Sequence, residues 1–407
     1  MYLKHLSLSN YRNYTRLEQS FPEQAILVQG DNAQGKTNLL EAIYYLATTR
    51  SPIVGSDRHL MNWACNDELL PCTRLVGEVE RASRSCRVEI AMVREKTGPE
   101  DPEGGRFSRR FRLNGVDKRA VDLLGQLNVV LFLPQDIDLV AGAPALRRRY
   151  LDVTLCQVDP AYCRHLQRYN RVLMQRNHLL RRLRERRDDP AQLSYWDEQL
   201  ARWGALVIGR RQQAVWQIEE AAAAIQPELT GGMEDLCLRY EPSIPLPCGE
   251  QVDLQARLPL GDKLDEPDNL LTQAVMGALE RARPRDLASG ATTVGPHRDE
   301  LRFLTNNIDM GLFGSRGQQR TVALALKLAE VRFMTQETGE VPVLLLDDVL
   351  SELDRARGLY LLRAVSSAAQ VIITATDLNL YPSEFLQQAR LWQVREGAIR
   401  EEPVVEA

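Results

Sequence analysis

Hydrophobic and polar positions divide the chain into segments of different period. Leu3, Leu6, Leu8 and Tyr11 precede a polar turn at Arg12-Asn13, and Ala25 to Val28 form a short apolar run ending at Gly30, which predicts strands. Leu39, Leu40, Ile43, Leu46 and Ala47 then recur at helical spacing. Alternating segments between Thr73 and Leu113 predict antiparallel strands, with an exposed hairpin tip over 96–105. Val129 to Leu133 predicts another strand, broken by Pro134. From Ala145 to Ala224 the pattern turns helical, with two or three long helices, and Thr230 to Asn269 reads as loop. A further helix is expected over Leu270 to Arg283. Strands return at Asp299 to Leu304, Val343 to Leu346 and Val371 to Ala375, and Leu391 to Ile399 suggests a closing hairpin. Gly314 to Gln319 reads as a loop before a helix over Thr321 to Met334.

The junction between the second strand and the first helix carries chemistry. Gly30-Asp31-Asn32-Ala33-Gln34-Gly35-Lys36-Thr37 fits G-x-x-x-x-G-K-[S/T], and Asn38 follows it. Such a loop wraps phosphate oxygens with backbone N–H groups at a helix N-terminus. Lys36 is placed to reach the β- and γ-phosphates, and the Thr37 hydroxyl to bind Mg²⁺. Asp347 and Asp348 end an apolar strand, where nucleotide sites of α/β sheets form. Asp347 suits the Mg²⁺ shell, and Asp348 suits orientation or deprotonation of an attacking water. ATP or GTP with Mg²⁺ is therefore the expected ligand of this loop, and the resemblances that follow imply ATP.

The lysine and the first acid stand 347 − 36 = 311 positions apart. That long insertion resembles the layout of an SMC-type or ABC-type ATPase head. Gly314-Ser315-Arg316-Gly317-Gln318-Gln319-Arg320 resembles the ABC signature loop, and Ser351-Glu352-Leu353-Asp354 resembles the D-loop. The resemblance implies that Ser315, Gly317 and Gln318 meet a γ-phosphate held by a second subunit. Gln135 stands where a Q-loop glutamine would serve the metal, and Arg12 and Asn13 stand where SMC-like heads contact nucleotide. Arg50, after the first helix, is a weaker candidate. Thr374-Ala375-Thr376-Asp377 occupies the place of the transporter histidine, which opposes an ABC transporter subunit and leaves the γ-phosphate sensor unassigned.

Together with Leu6 to Tyr14, Arg147 to Asp152, Gln175 to Leu180 and Gly295 to Asp299, these blocks resemble the RecF family of bacterial recombination-mediator ATPases over nearly the whole chain. The implied fold is α/β, a P-loop ATPase head over 1–135 and 286–407 with an antiparallel β subdomain and an inserted helical arm over 136–285. The implied activity is a weak ATPase acting as a switch for an ATP-dependent homodimer. Implied partners are double-stranded, gapped or junction DNA, RecR with RecO, and indirectly RecA, in gap repair, replication restart and SOS induction. The alternative is an SMC-type ATPase that organises or tethers chromosomes. Against it, the insert lacks long heptads and a Cys-x-x-Cys hook. A small-molecule P-loop kinase is disfavoured by the signature loop.

Composition adjusts this picture in two places. The 407 residues carry a net charge of −4, so no uniformly basic coat exists. Yet residues 147–187 hold twelve arginines against Asp152, Asp159 and Glu185. Arg147, Arg148, Arg149, Arg181, Arg182 and Arg184 are the expected DNA contacts, to phosphates rather than base edges. The seven cysteines include no Cys-x-x-Cys pair, so reduced thiols are expected. The apolar runs are short and Met1-Tyr2-Leu3-Lys4-His5 lacks a signal-peptide core, so a cytoplasmic protein with no membrane partner is expected.

Overall fold

The structure, a computed structural model, describes residues 1–67, 71–95, 106–185, 189–245 and 268–401. In chain order its strands and helices are β1 Tyr2–Tyr11, β2 Tyr14–Ser20, β3 Ala25–Gln29, α1 Lys36–Thr48, β4 Cys72–Glu80, β5 Ser85–Glu95, β6 Arg106–Leu113, β7 Val116–Lys118, α2 Ala120–Leu123, β8 Val129–Phe132 and α3 Ile137–Ala141. Then come α4 Pro144–Val158, α5 Pro160–Arg184, α6 Leu193–Thr230, β9 Leu236–Glu241, α7 Asn269–Ser289, β10 Glu300–Thr305, β11 Ile308–Asp309, α8 Met310–Phe313 and α9 Arg316–Thr338. The chain closes with β12 Val343–Asp347, α10 Arg355–Val365, β13 Val371–Ala375, α11 Ser383–Gln388, β14 Arg390–Arg395 and β15 Ala398–Glu401.

Two compact units result, Met1–Asp136 with Glu330–Ala407, and Ile137–Ala329. In the first unit an antiparallel sheet of order β2-β1-β4-β5-β6-β7 and a sheet of order β15-β14-β3-β13-β12-β8 share a core with α1. All neighbours in the second sheet are parallel except β15 against β14. Its central strands are covered on both faces, which is why Val343-Leu344-Leu345-Leu346 and Val371-Ile372-Ile373 are continuous apolar runs rather than alternating ones. Leu39, Leu40, Ile43, Leu46 and Ala47 of α1 lie in the core between the sheets with Leu3, Leu6, Ile26, Val28 and Leu345.

The second unit is mostly helical. α5, α6 and α7 pack together, and β9, β10 and β11 form a small antiparallel sheet. Charge is used here as internal fastening. Arg176 is completely buried on α5, donating from Nε to Asp197 on α6 and from Nη1 to Asp286 on α7, each at 2.7 Å. Arg211 on α6 does the same with Asp152 on α4 at 2.7 Å and with the Pro296 carbonyl at 2.7 Å. A buried charge is tolerable only with such partners.

Several expectations shift. Residues 286–329 were expected in the ATPase head and group instead with the helical unit, because α7 packs on α6 and β10 pairs with β9. β9 lies in the stretch expected as loop, where only its pairing with β10 defines it. α7 continues through Pro284 to Ser289. The helix expected from Thr321 begins at Arg316, so Gly314 to Gln319 is mostly the first turn of α9. The expected hairpin tip at 96–105 and Cys248 lie outside the described residues, as does much of the stretch expected as loop; among the described residues no disulfide joins the six cysteines. Among the described residues no helix is long and apolar enough to cross a membrane.

Candidate nucleotide site

The parallel register brings the chemistry to one edge. Val28 and Gln29 of β3 pair with Thr374 and Ala375 of β13, Thr374 pairs with Asp347 of β12, and Leu346 pairs with Phe132 of β8. The phosphate loop, both acids and Gln135 therefore all emerge at the C-terminal ends of neighbouring strands.

Residues 30–37 curl over that edge under tight steric limits. Gly35 caps α1 at φ +112°, where a side chain is strained, and a Cβ there would lie 2.5 Å from Asn13 Nδ2. A Cβ on Gly30 would lie 2.5 Å from the Val394 carbonyl oxygen. Both glycines are thus required by contacts from outside the loop. Asp31, Asn32 and Ala33 are exposed at its tip, and Lys36 is buried beneath it. The Lys36 ammonium donates to the Gly30 carbonyl at 2.5 Å and the Asp31 carbonyl at 2.9 Å. Burial pulls its pKa below the ordinary lysine value, against the pull of Asp348, Asp347 and Asp31.

Thr37 and the two acids form a compact oxygen cluster. Thr37 Oγ1 lies 2.8 Å from Asp347 Oδ2 and 3.0 Å from Oδ1. Thr374 Oγ1, fully buried, donates to Asp347 Oδ1 at 2.8 Å and accepts the Asp348 N–H at 3.0 Å. Asp348 stands in the left-handed region at φ +48°, a conformation an aspartate adopts at a cost and one that collects at functional sites. Burial raises its carboxyl pKa, and Asp347 adds to this while Lys36 opposes it. Thr376 Oγ1 is 3.5 Å from Asp348 Oδ1. Hard oxygens from one hydroxyl and one carboxylate suit Mg²⁺, which takes few protein ligands beside phosphate oxygens. The glycine-walled loop, the lysine and this donor set fit a Mg²⁺-nucleotide.

Other expected contacts act one step away. Asn13 Nδ2 donates to the Gln34 carbonyl at 3.0 Å, and Asn13 Oδ1 accepts from Asn38 Nδ2 at 2.8 Å, so both asparagines brace the loop from beneath. Arg12 forms a bidentate pair with the buried Glu41 of α1, at 2.8 and 2.9 Å, and Ser51 Oγ donates to the same carboxylate. Two of its guanidinium nitrogens thereby serve the fold. Arg50 is exposed. Residues the sequence did not single out complete the cradle: Tyr14 donates to the Gly35 carbonyl at 2.9 Å, and the Glu396 and Gly397 N–H groups reach Gln34 Oε1 and its carbonyl.

In the second unit Ser315 and Gln318 form a capping box at the start of α9. The Ser315 N–H donates to Gln318 Oε1 at 3.1 Å and the Gln318 N–H to Ser315 Oγ at 3.3 Å. Gln318 Nε2 is held by Glu234 at 2.9 Å. Gly317 is exposed, and a Cβ there would meet nothing within 4 Å, so no contact within the described residues demands glycine at that position.

Residues 2–398 match the family model described as RecF/RecN/SMC N terminal domain. The chain is 42% identical over 406 residues to a DNA replication and repair protein RecF of Chloroflexus aurantiacus, covering 98% of this chain and 99% of that one. It is 37% identical to the protein of the same name from Geobacillus kaustophilus, with 98% and 99% covered. The chain belongs to the RecF family of DNA replication and repair proteins. A solved structure of the recombination mediator RecF with ATP, from the RecFOR pathway, overlays with a TM-score of 0.82 at 30% identity, covering 99% of this chain and 98% of that one. An SMC head bound to the C-winged helix domain of ScpA shares the fold, with a TM-score of 0.51 at 14% identity over 100% and 98% of the two chains. Membership of the RecF family, with its ATP-bound solved structure, makes the protein an ATPase.

Two of the arginines expected on DNA are engaged within this RecF-family fold. Arg147 pairs with Glu300 through Nε and Nη2, at 2.7 and 2.9 Å, and gives Nη1 to the Gly142 carbonyl at 2.7 Å. Arg148 gives Nη1 to the Asp299 carbonyl at 2.8 Å. Both are anchors between α4 and the start of β10, so these guanidinium groups already have partners within their own unit. Arg149, Arg181, Arg182 and Arg184 are exposed, and Arg184 reaches the Ser289 carbonyl at 3.3 Å. Arg186 and Arg187 lie outside the described residues.

Proposed function

We propose that the protein is a nucleotide-switched DNA-binding ATPase in which two copies assemble head to head and engage double-stranded DNA, with gapped or junction DNA as its repair target. The oxygen cluster of Thr37, Asp347 and Thr374 beneath a phosphate loop carries this reading. Lys36 neutralises the β- and γ-phosphates, and backbone N–H groups of the loop cradle them. Thr37 and Asp347 hold the hydrated Mg²⁺, with Gln135 at the neighbouring strand end. Asp348, held close to its partner acid, accepts a proton from the attacking water. Bound ATP with Mg²⁺ supplies the phosphoanhydride bond whose hydrolysis separates the two copies.

Ser315, Gly317 and Gln318 of one copy meet the γ-phosphate held by the other, at the positive end of α9. Turnover is weak, because each copy alone has half a site. The name shared by the relatives and the pathway of the overlaid structure support a role beside RecO and RecR in loading RecA at single-strand gaps, in the cytoplasm. Lys36→Arg is expected to bind ATP and hydrolyse it poorly. Ser315→Arg is expected to bind ATP and stay monomeric in sedimentation, and a dimeric Ser315→Arg protein contradicts the trans role.

A further inference from the structure

α5 carries seven arginines and no acidic residue between Pro160 and Arg184. They do not all have the same occupation. Arg176 is the buried clamp on Asp197 and Asp286. Arg181, Arg182 and Arg184 lie in the last turn, where a cation favours the helix dipole. Arg164, Arg168 and Arg171 have neither explanation. They are exposed, they follow one another at i, i+4 and i+7 on one face, and none has a carboxylate partner among the described residues. Like charges at this spacing destabilise a helix by about 0.2–0.5 kcal/mol per pair. Apart from the contact of Arg168 with the Trp203 ring, the fold makes no use of the three, whereas it uses each of the other four.

Part of this ridge is held in place. The Arg168 guanidinium lies 4.6 Å and that of Arg202, on α6, 5.1 Å from the centre of the Trp203 ring. His165 stacks on the same ring at 5.7 Å. Two cations are thus presented on a fixed aromatic base, which lowers the entropy lost when they engage a ligand. Along the helix the face continues through Gln175, His178 and Arg182, a span of roughly 27 Å at 1.5 Å per residue. That matches about eight base pairs of duplex.

We propose that this ridge, Arg164, Arg168 and Arg171 with Arg202 beside Trp203, is the surface that tracks the phosphate backbone of double-stranded DNA. The assignment rests on the DNA-binding reading above and shifts the expected contacts from residues 147–149 and 181–184 to the first half of α5. A regularly spaced row of guanidinium groups without acids fits a regular polyanion and offers no base-reading geometry, so binding is independent of sequence.

The test is fluorescence anisotropy of a labelled blunt duplex across a salt series, with a non-hydrolysable ATP analogue, for the wild type and two triple variants. Arg164→Gln/Arg168→Gln/Arg171→Gln is expected to lose roughly tenfold or more in affinity near 0.1 M salt and to lower the salt slope by about 3. The triple lysine variant keeps the slope. Both should melt like the wild type and form the same nucleotide-dependent dimer. A glutamine variant with wild-type affinity and slope overturns the ridge and leaves the DNA reading standing. A wild type that shows no salt-dependent duplex binding removes the DNA reading and the ridge with it.

Discussion

Replacing Thr374 by valine keeps the shape of a fully buried side chain and removes one hydroxyl. That hydroxyl donates to Asp347 Oδ1 and accepts from the Asp348 N–H. With it gone, Asp347 keeps the Thr37 contact, and the Asp348 N–H keeps only the Thr374 carbonyl at 3.3 Å. A hydrogen bond to a charged group is worth about 1.5–3 kcal/mol. If half to all of that is expressed in the chemical step, kcat falls roughly 4- to 160-fold. Asp348 sits at φ +48°, so a looser backbone also lets the acid leave its position. The assay is phosphate release as ATP and Mg²⁺ are varied separately, alongside direct titration of Mn²⁺ and of Mg²⁺-free nucleotide. The half-saturating metal concentration should rise and kcat fall, while metal-free nucleotide binds as before. Thr374→Ser, which restores the hydroxyl, should recover most of both. A valine variant with wild-type kcat and metal response refutes the argument, and so does a serine variant as impaired as the valine.

Three more outcomes follow from the same geometry. Arg12→Ala leaves the buried Glu41 carboxylate without its cation, which costs about 3–5 kcal/mol and lowers the melting temperature of the first unit by roughly 10 °C. An unchanged melting temperature with a raised KM for ATP would make Arg12 a nucleotide contact instead. Asp348 has a raised pKa, so its ionised form is disfavoured in the folded protein and its contribution to stability fades as pH rises. Asp348→Asn should therefore abolish hydrolysis while raising the melting temperature at neutral pH, and a lower melting temperature contradicts the sign. His297 accepts from Tyr169 at 2.6 Å and donates to the Thr292 carbonyl at 3.1 Å, and burial holds its pKa down to about 4. As pH falls below 6.5 the unfolded chain takes up the proton first, so stability present above 6.5 is lost towards pH 4, by up to about 3 kcal/mol. Urea melts should show this slope in the wild type and lose it in His297→Gln; an equal slope in both removes the histidine from the account.

The phosphate loop and the paired acids were legible because their chemistry is compressed into short runs with strong flanking periodicity. The loop-bracing role of Asn13, the hydrogen bonds of Thr374 and the contribution of Gly397 were not, since each acts on a loop or acid brought to it by the sheet register. The arginine count in residues 147–187 pointed to the helical unit without saying which guanidinium groups are available. Arg147 and Arg176 are indistinguishable from their neighbours in sequence, and their acids arrive from 153 and up to 110 positions away. β9 escaped notice for a related reason, because its strand character comes from β10 across a long connection. The signature residues read as a loop because glycine at 317 hides a helix start that the Ser315–Gln318 capping box defines.

The central claim is that nucleotide binding creates a two-copy assembly that holds DNA. Sedimentation velocity measures it directly, with the protein alone, with a non-hydrolysable ATP analogue, and with the analogue plus duplex, single-stranded or gapped DNA. The account predicts a monomer without nucleotide, a dimer with it, and co-sedimentation of duplex and gapped DNA with the dimer alone. A protein that stays monomeric with nucleotide, or that binds duplex equally well without it, contradicts the account.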